Sequence, residues 1–296
     1  MWDQLMQNMI KGDFKSLARC ISLVENNVPG YEKFLQLLPT GTTPIIGITG
    51  PPGAGKSTLT DALIEAYVKE GKKVAVICVD PSSPFNLGAL LGDRIRMSDW
   101  YNHPAVFIRS LATRGSMGGL HPKIIEVTDI MKAAGFDIII VETVGVGQSE
   151  IEIAGLADTT VVVLVPEAGD EVQTMKSGLM EIANIFIVNK ADRPGADTLV
   201  RNLEQMLAPE VNKTAFEIPV IKTTASKKEG IKPLMEKMEA SLQNQNNQLK
   251  NWLLTEKAYH LIKNKRMKQI NKEELKNDID KMEAGFNLYH FIEKYT

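Results

Sequence analysis

Cysteine and histidine are scarce in this chain, with two of the former and four of the latter among 296 residues. Cys20 falls in a helical pattern and Cys78 in an apolar run, without CxxC spacing, so both read as small buried hydrophobes rather than a disulfide or a thiolate metal site. His103, His121, His260 and His290 include no pair at ligand spacing, which disfavours a zinc or nickel centre. An excess of charge is missing as well. Lys+Arg of 34 against Asp+Glu of 36 leaves a formal net charge of -2, so no global basic field draws the chain to nucleic acid or anionic lipid. Long apolar runs are also lacking. Asp3, Gln4, Gln7, Lys11 and Asp13 interrupt the N-terminal stretch, leaving no core for a signal peptide, and no segment is long enough to span a membrane. The expected location is the cytoplasm, and no internal repeat is visible.

What is present suits a packed α/β protein. The hydrophobic share of 44% is enough for one large domain with helical additions. Trp2, Leu5, Met6, Met9 and Ile10, then Phe14, Leu17, Ala18 and Ile21, recur at helical spacing, so residues 1–40 read as an N-terminal helical arm. From Pro44 onward, short β-branched runs alternate with amphipathic stretches of about 12 to 16 residues, the pattern of βαβ units and a mostly parallel sheet. Strands are predicted at 45–49, 73–79, 106–110, 137–142, 160–165, 185–188 and 219–223. Helices are predicted at 56–70, 121–135, 170–183 and 195–208. Past Gly230 the pattern is helical to the end. The polar run 243–248 is a helix face or a hinge, and Lys263, Lys265, Arg266 and Lys268 read most simply as a solvated helix face, with a phosphate-reading patch as the alternative.

Gly50-Pro51-Pro52-Gly53-Ala54-Gly55-Lys56-Ser57 fits GxxxxGK[ST] between an apolar strand and an amphipathic helix. Glycines there let backbone N–H groups curl around phosphates, and the helix N-terminus adds a positive dipole end. Lys56 can reach the β/γ oxygens and the Ser57 hydroxyl can ligate Mg²⁺. Gly50, Pro51, Gly53, Ala54, Gly55, Lys56, Ser57 and Thr58 are therefore the expected phosphate-binding positions. Asn189-Lys190-Ala191-Asp192 closes a later strand and fits NKxD. A carboxylate at Asp192 can accept from both the ring N–H and the exocyclic amine of guanine, a pair that adenine does not offer. Thr224-Ala225-Ser226 ends the next strand, where a loop can touch the base through its backbone.

Acidic groups stand at strand ends, where magnesium partners of a phosphate loop would project. Asp80 closes the second strand, Asp93 lies in Leu91-Gly92-Asp93-Arg94, and Glu142 opens Glu142-Thr143-Val144-Gly145, a DxxG-like element with Glu in place of Asp. Each could alternatively be a cap or turn residue. Gly145 could present its N–H to the γ-phosphate.

At Glu142-Thr143-Val144-Gly145-Val146-Gly147-Gln148-Ser149-Glu150 the chain resembles the MeaB-type GTPases, chaperones of methylmalonyl-coenzyme A mutase and related cobalamin mutases. The resemblance extends through residues 47–59, Asp80-Pro81-Ser82-Ser83-Pro84, Leu91 to Met97, Phe107-Ile108-Arg109-Ser110 and Val188 to Asp192, from about residue 11 to about 235. It implies a P-loop G domain over 41–232 between the arm and a C-terminal helical dimerisation segment, 233–296, in a homodimer. It implies GTP and GDP as nucleotides, with Mg²⁺ approached by Ser57 and Asp93 and with Asp80 and Glu142 nearby. Hydrolysis would rest on Lys56, Asp93 and Glu142, with slow intrinsic turnover and Gln148 a candidate for orienting water by analogy with a switch glutamine. The implied partner is a cobalamin-dependent acyl-CoA mutase, whose cofactor loading the nucleotide state gates and which it protects.

Gly169-Asp170-Glu171-Val172-Gln173-Thr174-Met175-Lys176 resembles the element that transmits nucleotide state to the mutase, with Asp170, Gln173 and Lys176 as coupling positions. Read without the family, it is an amphipathic helix start capped by Asp170. Two stretches depart from the family: Phe85 to Leu90 is bulkier than the usual glycine-rich segment, and Arg114 to Gly119 lacks a histidine that relatives often carry. A metal-inserting GTPase would need a His- or Cys-rich site. A kinase or transport ATPase would not need Asn189 to Asp192.

Overall fold

The computed structural model describes residues 1–80, 97–113, 120–145, 152–168, 179–207, 218–243, 247–267, 269–282 and 287–295. The chain divides into two compact units, residues 1–246 and 247–296.

The first unit is built on a seven-stranded sheet. Its strands are β1 (Ile45–Thr49), β2 (Val74–Asp80), β3 (Val106–Ala112), β4 (Ile138–Glu142), β5 (Thr159–Leu164), β6 (Ile185–Val188) and β7 (Val220–Lys222). Their spatial order is β3-β2-β4-β1-β5-β6-β7, and every paired neighbour is parallel. Strands β1, β2, β4, β5 and β6 are buried along their whole length, whereas β3 and β7 at the edges are partly open. Continuous Ile/Val runs are what a parallel sheet covered on both faces requires.

The strand assignments made from sequence hold, with shifts at the ends that the pairing explains. Asp80 stays in β2 because it pairs with Ala112, which also carries β3 two residues past its expected end. Lys73 drops out because its N–H donates to the Asp137 carboxylate at 2.7 Å. The helix expected from 121 begins at Ile124, because the His121 ring and carbonyl accept the Lys123 and Ile124 N–H groups in a preceding turn.

Three helices, α1 (Trp2–Ile10), α2 (Phe14–Glu25) and α3 (Tyr31–Gln36), form the N-terminal arm. Asp13 caps α2 by accepting from the Lys15 and Ser16 N–H groups, and Ser16 Oγ donates to it at 2.5 Å. Phe14 packs on Phe107 of β3 and on Phe136, with ring centroids 5.5 and 5.7 Å apart. Arg109 of β3 donates to the Glu25 carboxylate and to Ser22 Oγ.

On the sheet, α4 (Lys56–Lys69) contributes Leu59, Leu63 and Tyr67 to a cluster with Ile48, Val76, Ile140 and Val163. Leu234, Met235 and Met238 of the helix Ile231–Gln243 complete it. Each aliphatic side chain so withdrawn from water contributes about 1.5–3 kcal/mol. Beside β6, the helix Ala196–Leu207 supplies Leu199 and Leu203 to a second cluster with Val162, Phe186 and Val188. Cys20 and Cys78 are buried and form no disulfide, and burial pushes the Cys20 thiol up to about 11.

In the second unit, helices span Asn247–Met267, Lys272–Asp280 and Leu288–Ile292. Asp278 accepts from the Tyr295 hydroxyl at 2.6 Å and from Lys294 at 3.0 Å. Lys263, Lys265 and Arg266 are exposed, as expected of a solvated face, and Lys268 of the same cluster lies outside the described residues. Among the described residues no helix is long and apolar enough to cross a membrane.

Candidate functional site

The central strand β1 ends at Thr49, and the chain turns through residues 50–55 directly into α4. This places the phosphate-loop sequence at the carboxyl end of the sheet, beside the helix N-terminus where free N–H groups converge. Gly55 is the left-handed residue before α4, with φ +88°. A Cβ there would also stand 2.5 Å from Asn189 Nδ2, so the position requires glycine on both counts. Lys56 is buried, and its ammonium donates to the carbonyls of Gly50 at 2.9 Å and Pro51 at 3.1 Å. Those loop carbonyls hold it over the loop, where phosphate oxygens would be stronger, charge-assisted acceptors.

Glu142 ends β4 between β1 and β2, level with Ile48 on one side and Cys78 on the other. Its carboxylate is buried and accepts from two hydroxyls of α4, Ser57 Oγ on Oε1 at 2.6 Å and Thr60 Oγ1 on Oε2 at 2.9 Å. The next residue, Thr143, donates its hydroxyl to Thr49 Oγ1 at 2.9 Å, tying the end of β4 to the end of β1. Asp80 is buried at the end of β2, and its carbonyl accepts the Thr113 N–H.

The hydroxyl of Ser57 and the carboxylate of Glu142 are hard oxygen donors beside the phosphate loop, the chemistry that suits Mg²⁺. Among the described residues no group of three or more His, Cys, Asp or Glu could hold a metal alone. Magnesium does not demand one, because it keeps waters and takes phosphate oxygens.

The Asn189–Asp192 segment follows β6. Asn189 is buried and works in two directions: Nδ2 donates to the Ala54 carbonyl at 2.9 Å, while Oδ1 accepts from the Ala225 N–H at 3.1 Å and from the Thr223 hydroxyl at 3.0 Å. Lys190, at φ +55°, donates to the Gly53 carbonyl at 2.7 Å. Asp192 is exposed and pairs with Lys227 at 3.0 Å, and that contact holds its carboxyl below the usual range. Thr224, Ala225 and Ser226 form a turn after β7, closed by a bridge between Thr224 and Glu229.

The structure thus brings Gly50, Pro51, Gly53, Ala54, Gly55, Lys56, Ser57, Thr58, Asp80, Glu142, Gly145, Asn189, Lys190, Asp192 and the 224–226 turn to the carboxyl end of the sheet. Asp93, Gln148, Asp170, Gln173 and Lys176 lie outside the described residues. Thr60, Thr49, Thr143, Thr223 and Lys227 were not singled out from sequence. Thr60 alone carried a readable signal there, being three residues past Ser57 and so on the same helix face.

The family described as methylmalonyl Co-A mutase-associated GTPase MeaB matches residues 17–283. A predicted GTPase of Pyrococcus abyssi is 51% identical over 244 residues, covering 81% of this chain and 75% of that protein. A fused isobutyryl-CoA mutase of Geobacillus kaustophilus is 35% identical over 236 residues, covering 75% of this chain and 22% of its own length. A crystal structure described as a LAO/AO transport system kinase superposes with a TM-score of 0.73 at 28% identity, covering 94% of this chain and 88% of that one. With a phosphate loop, an acidic strand end and an NKxD segment at the carboxyl end of one parallel sheet, the chain belongs to the MeaB family of mutase-associated P-loop GTPases.

Proposed function

We propose that the protein hydrolyses GTP to GDP and phosphate and uses its nucleotide state to gate cofactor loading into, and to protect, a cobalamin-dependent acyl-CoA mutase. The observation that carries the nucleotide half is the double role of Asn189. One side chain joins the phosphate loop, through Ala54, to the base-side turn, through Ala225. This supports reading base recognition and phosphate binding as mechanically one site. The mutase half is supported by family membership and by the likeness to a fused isobutyryl-CoA mutase.

In this reading the first-turn N–H groups of α4 and the Lys56 ammonium bind the β- and γ-phosphates, and Asp192 selects guanine. Ser57 and Glu142, with Asp80 and Asp93 as further acids, would hold Mg²⁺, which when bound neutralises charge at the β/γ bridge. Gly145 presents its N–H toward the γ-phosphate, and Gln148 orients the attacking water. Catalysis is then positioning and charge neutralisation, so intrinsic turnover is slow and the partner accelerates it. Asp170, Gln173 and Lys176 carry the coupling, and the C-terminal helices, with Trp252, Leu254, Tyr259 and Ile262 exposed, serve homodimerisation.

The test is GTP turnover measured with and without a cobalamin mutase. Wild type is expected to be slow alone and faster with the mutase. Lys56→Ala should abolish turnover, and Asp170→Ala and Lys176→Ala should keep basal turnover but lose the acceleration. Unchanged titration and turnover in Lys56→Ala refutes the phosphate-loop assignment, and equal stimulation of all forms refutes the coupling assignment.

A further inference from the structure

We infer that Thr60 is a positioning residue for Glu142, holding its carboxylate beside Ser57, where it could support the hydration shell of a magnesium ion. The inference rests on the magnesium reading proposed above.

A threonine buried in a helix ordinarily returns its hydroxyl to the carbonyl three or four residues back. Among the described residues Thr128, fully buried, shows that default by donating to the Ile125 carbonyl at 2.8 Å, and the exposed Thr255 does the same to the Asn251 carbonyl at 2.8 Å. Thr60 departs from it. Fully buried on α4, it sends its hydrogen out of the helix to Glu142 Oε2, 82 residues away in sequence. The bond is to a carboxylate, the stronger class of acceptor.

Its necessity follows from the residue it serves. Glutamate in place of the aspartate of a DxxG element has one more methylene and one more rotatable bond, so a single contact cannot fix the carboxylate plane. Ser57 holds Oε1 and Thr60 holds Oε2, and the two donors stand three residues apart on one helix face. Both oxygens are thereby located relative to the phosphate loop by the helix that begins in it. Engagement of the Ser57 oxygen by a cation leaves its hydrogen available to Oε1. Thr60 has no such second duty and keeps Oε2 in place throughout.

The experiment is a magnesium chloride titration of GDP retention, using a fluorescent GDP, in wild type, Thr60→Val and Thr60→Ser, with manganese binding read by electron paramagnetic resonance as the second measure. Thr60→Val is expected to raise the half-saturating magnesium concentration by about 10- to 100-fold, the usual consequence of losing a partner behind a metal-supporting group. Its GDP affinity in EDTA should stay within about twofold, since that comparison excludes the cation. Thr60→Ser should restore the wild-type titration. A role in packing alone would lower the melting temperature and move both GDP measurements together. Thr60→Ala replaces the valine variant if that one does not fold. No magnesium dependence in wild type overturns the magnesium assignment and this inference with it. A magnesium-dependent wild type matched by Thr60→Val, or a Thr60→Ser as impaired as Thr60→Val, overturns the role of Thr60 alone.

Discussion

A Cβ on Gly145 would stand less than 3.0 Å from Lys56 Nζ and from the Gly50 carbonyl oxygen, so the end of the Glu142–Gly145 element is fitted against the phosphate-loop lysine itself. Gly145 also has φ +84°, which costs an L-residue about 1–2 kcal/mol. Gly145→Ala must therefore push either the lysine or the strand-end turn out of place. GDP affinity is expected to fall at least about tenfold, with a stability loss of about 2 kcal/mol or more. Titration calorimetry and urea denaturation read the two effects separately. A variant with wild-type affinity would show that the two elements move independently.

How much of this was legible in sequence follows from the reach of each interaction. Ile45–Thr49 and Ile185–Val188 were read to the residue, because an all-buried parallel strand leaves an unbroken apolar run. The phosphate loop and Asn189–Asp192 were legible because their spacing is itself the chemistry. That the Ser57 and Thr60 hydroxyls donate to Glu142 was not, although their spacing puts the two on one helix face. Thr60 lies 82 residues from it and Thr49 lies 94 from Thr143. A threonine carries no mark of whether its hydrogen goes back to its own helix, as in Thr128, or across the end of the sheet. The order β2-β4-β1 decides that, by inserting β4 between the first two strands.

Asn189 joins the phosphate-loop residue Ala54 to Ala225 in the turn after β7, so its loss should be felt in the fold as well as in the proposed binding. Asn189→Ala leaves the buried Ala225 N–H without its acceptor and the Ala54 carbonyl without its donor. A destabilisation of about 2–3 kcal/mol is expected from these unpaired groups. Nucleotide affinity should drop even under conditions where the variant is fully folded. Urea unfolding with and without saturating GDP checks both parts. Equal stabilisation by GDP in wild type and variant would remove Asn189 from the binding account.

Tyr67 offers the opposite test, a substitution expected to improve the protein. Its ring is buried in the core cluster beneath α4, yet its hydroxyl has no hydrogen-bond partner among the described residues. Burial drives its ionisation well above the usual tyrosine range. Removing an unpaired buried hydroxyl while keeping the ring should stabilise the fold by about 1 kcal/mol, or about 2–4 °C in melting temperature for a unit of this size. Tyr67→Phe is therefore expected to melt higher than wild type, and a lower melting temperature would mean that the hydroxyl contributes to stability.

In the proposed reading Asp192 carries the discrimination between bases, and its chemistry can be inverted. The carboxylate would accept from the ring N–H and the 2-amino group of guanine, while xanthine replaces that amine with an oxygen. Asp192→Asn turns one acceptor into a donor, which matches the xanthine edge and leaves the guanine amine facing an N–H. Competition between GTP and xanthosine triphosphate should therefore swing toward the latter by roughly 100-fold, the modest end for a hydrogen-bonded discriminator because the side chain is 40% exposed. The pH dependence has a definite sign. Lys227 lowers the Asp192 pKa from its ordinary 3.8, so the acceptor stays ionised at all pH values above that and is lost only as the pH falls through the lowered value. Guanine preference in wild type should then be flat from about pH 5 to 8. Preference that declines between pH 7 and 5, or an Asp192→Asn variant still selective for GTP, would assign base reading to another group at this end of the sheet.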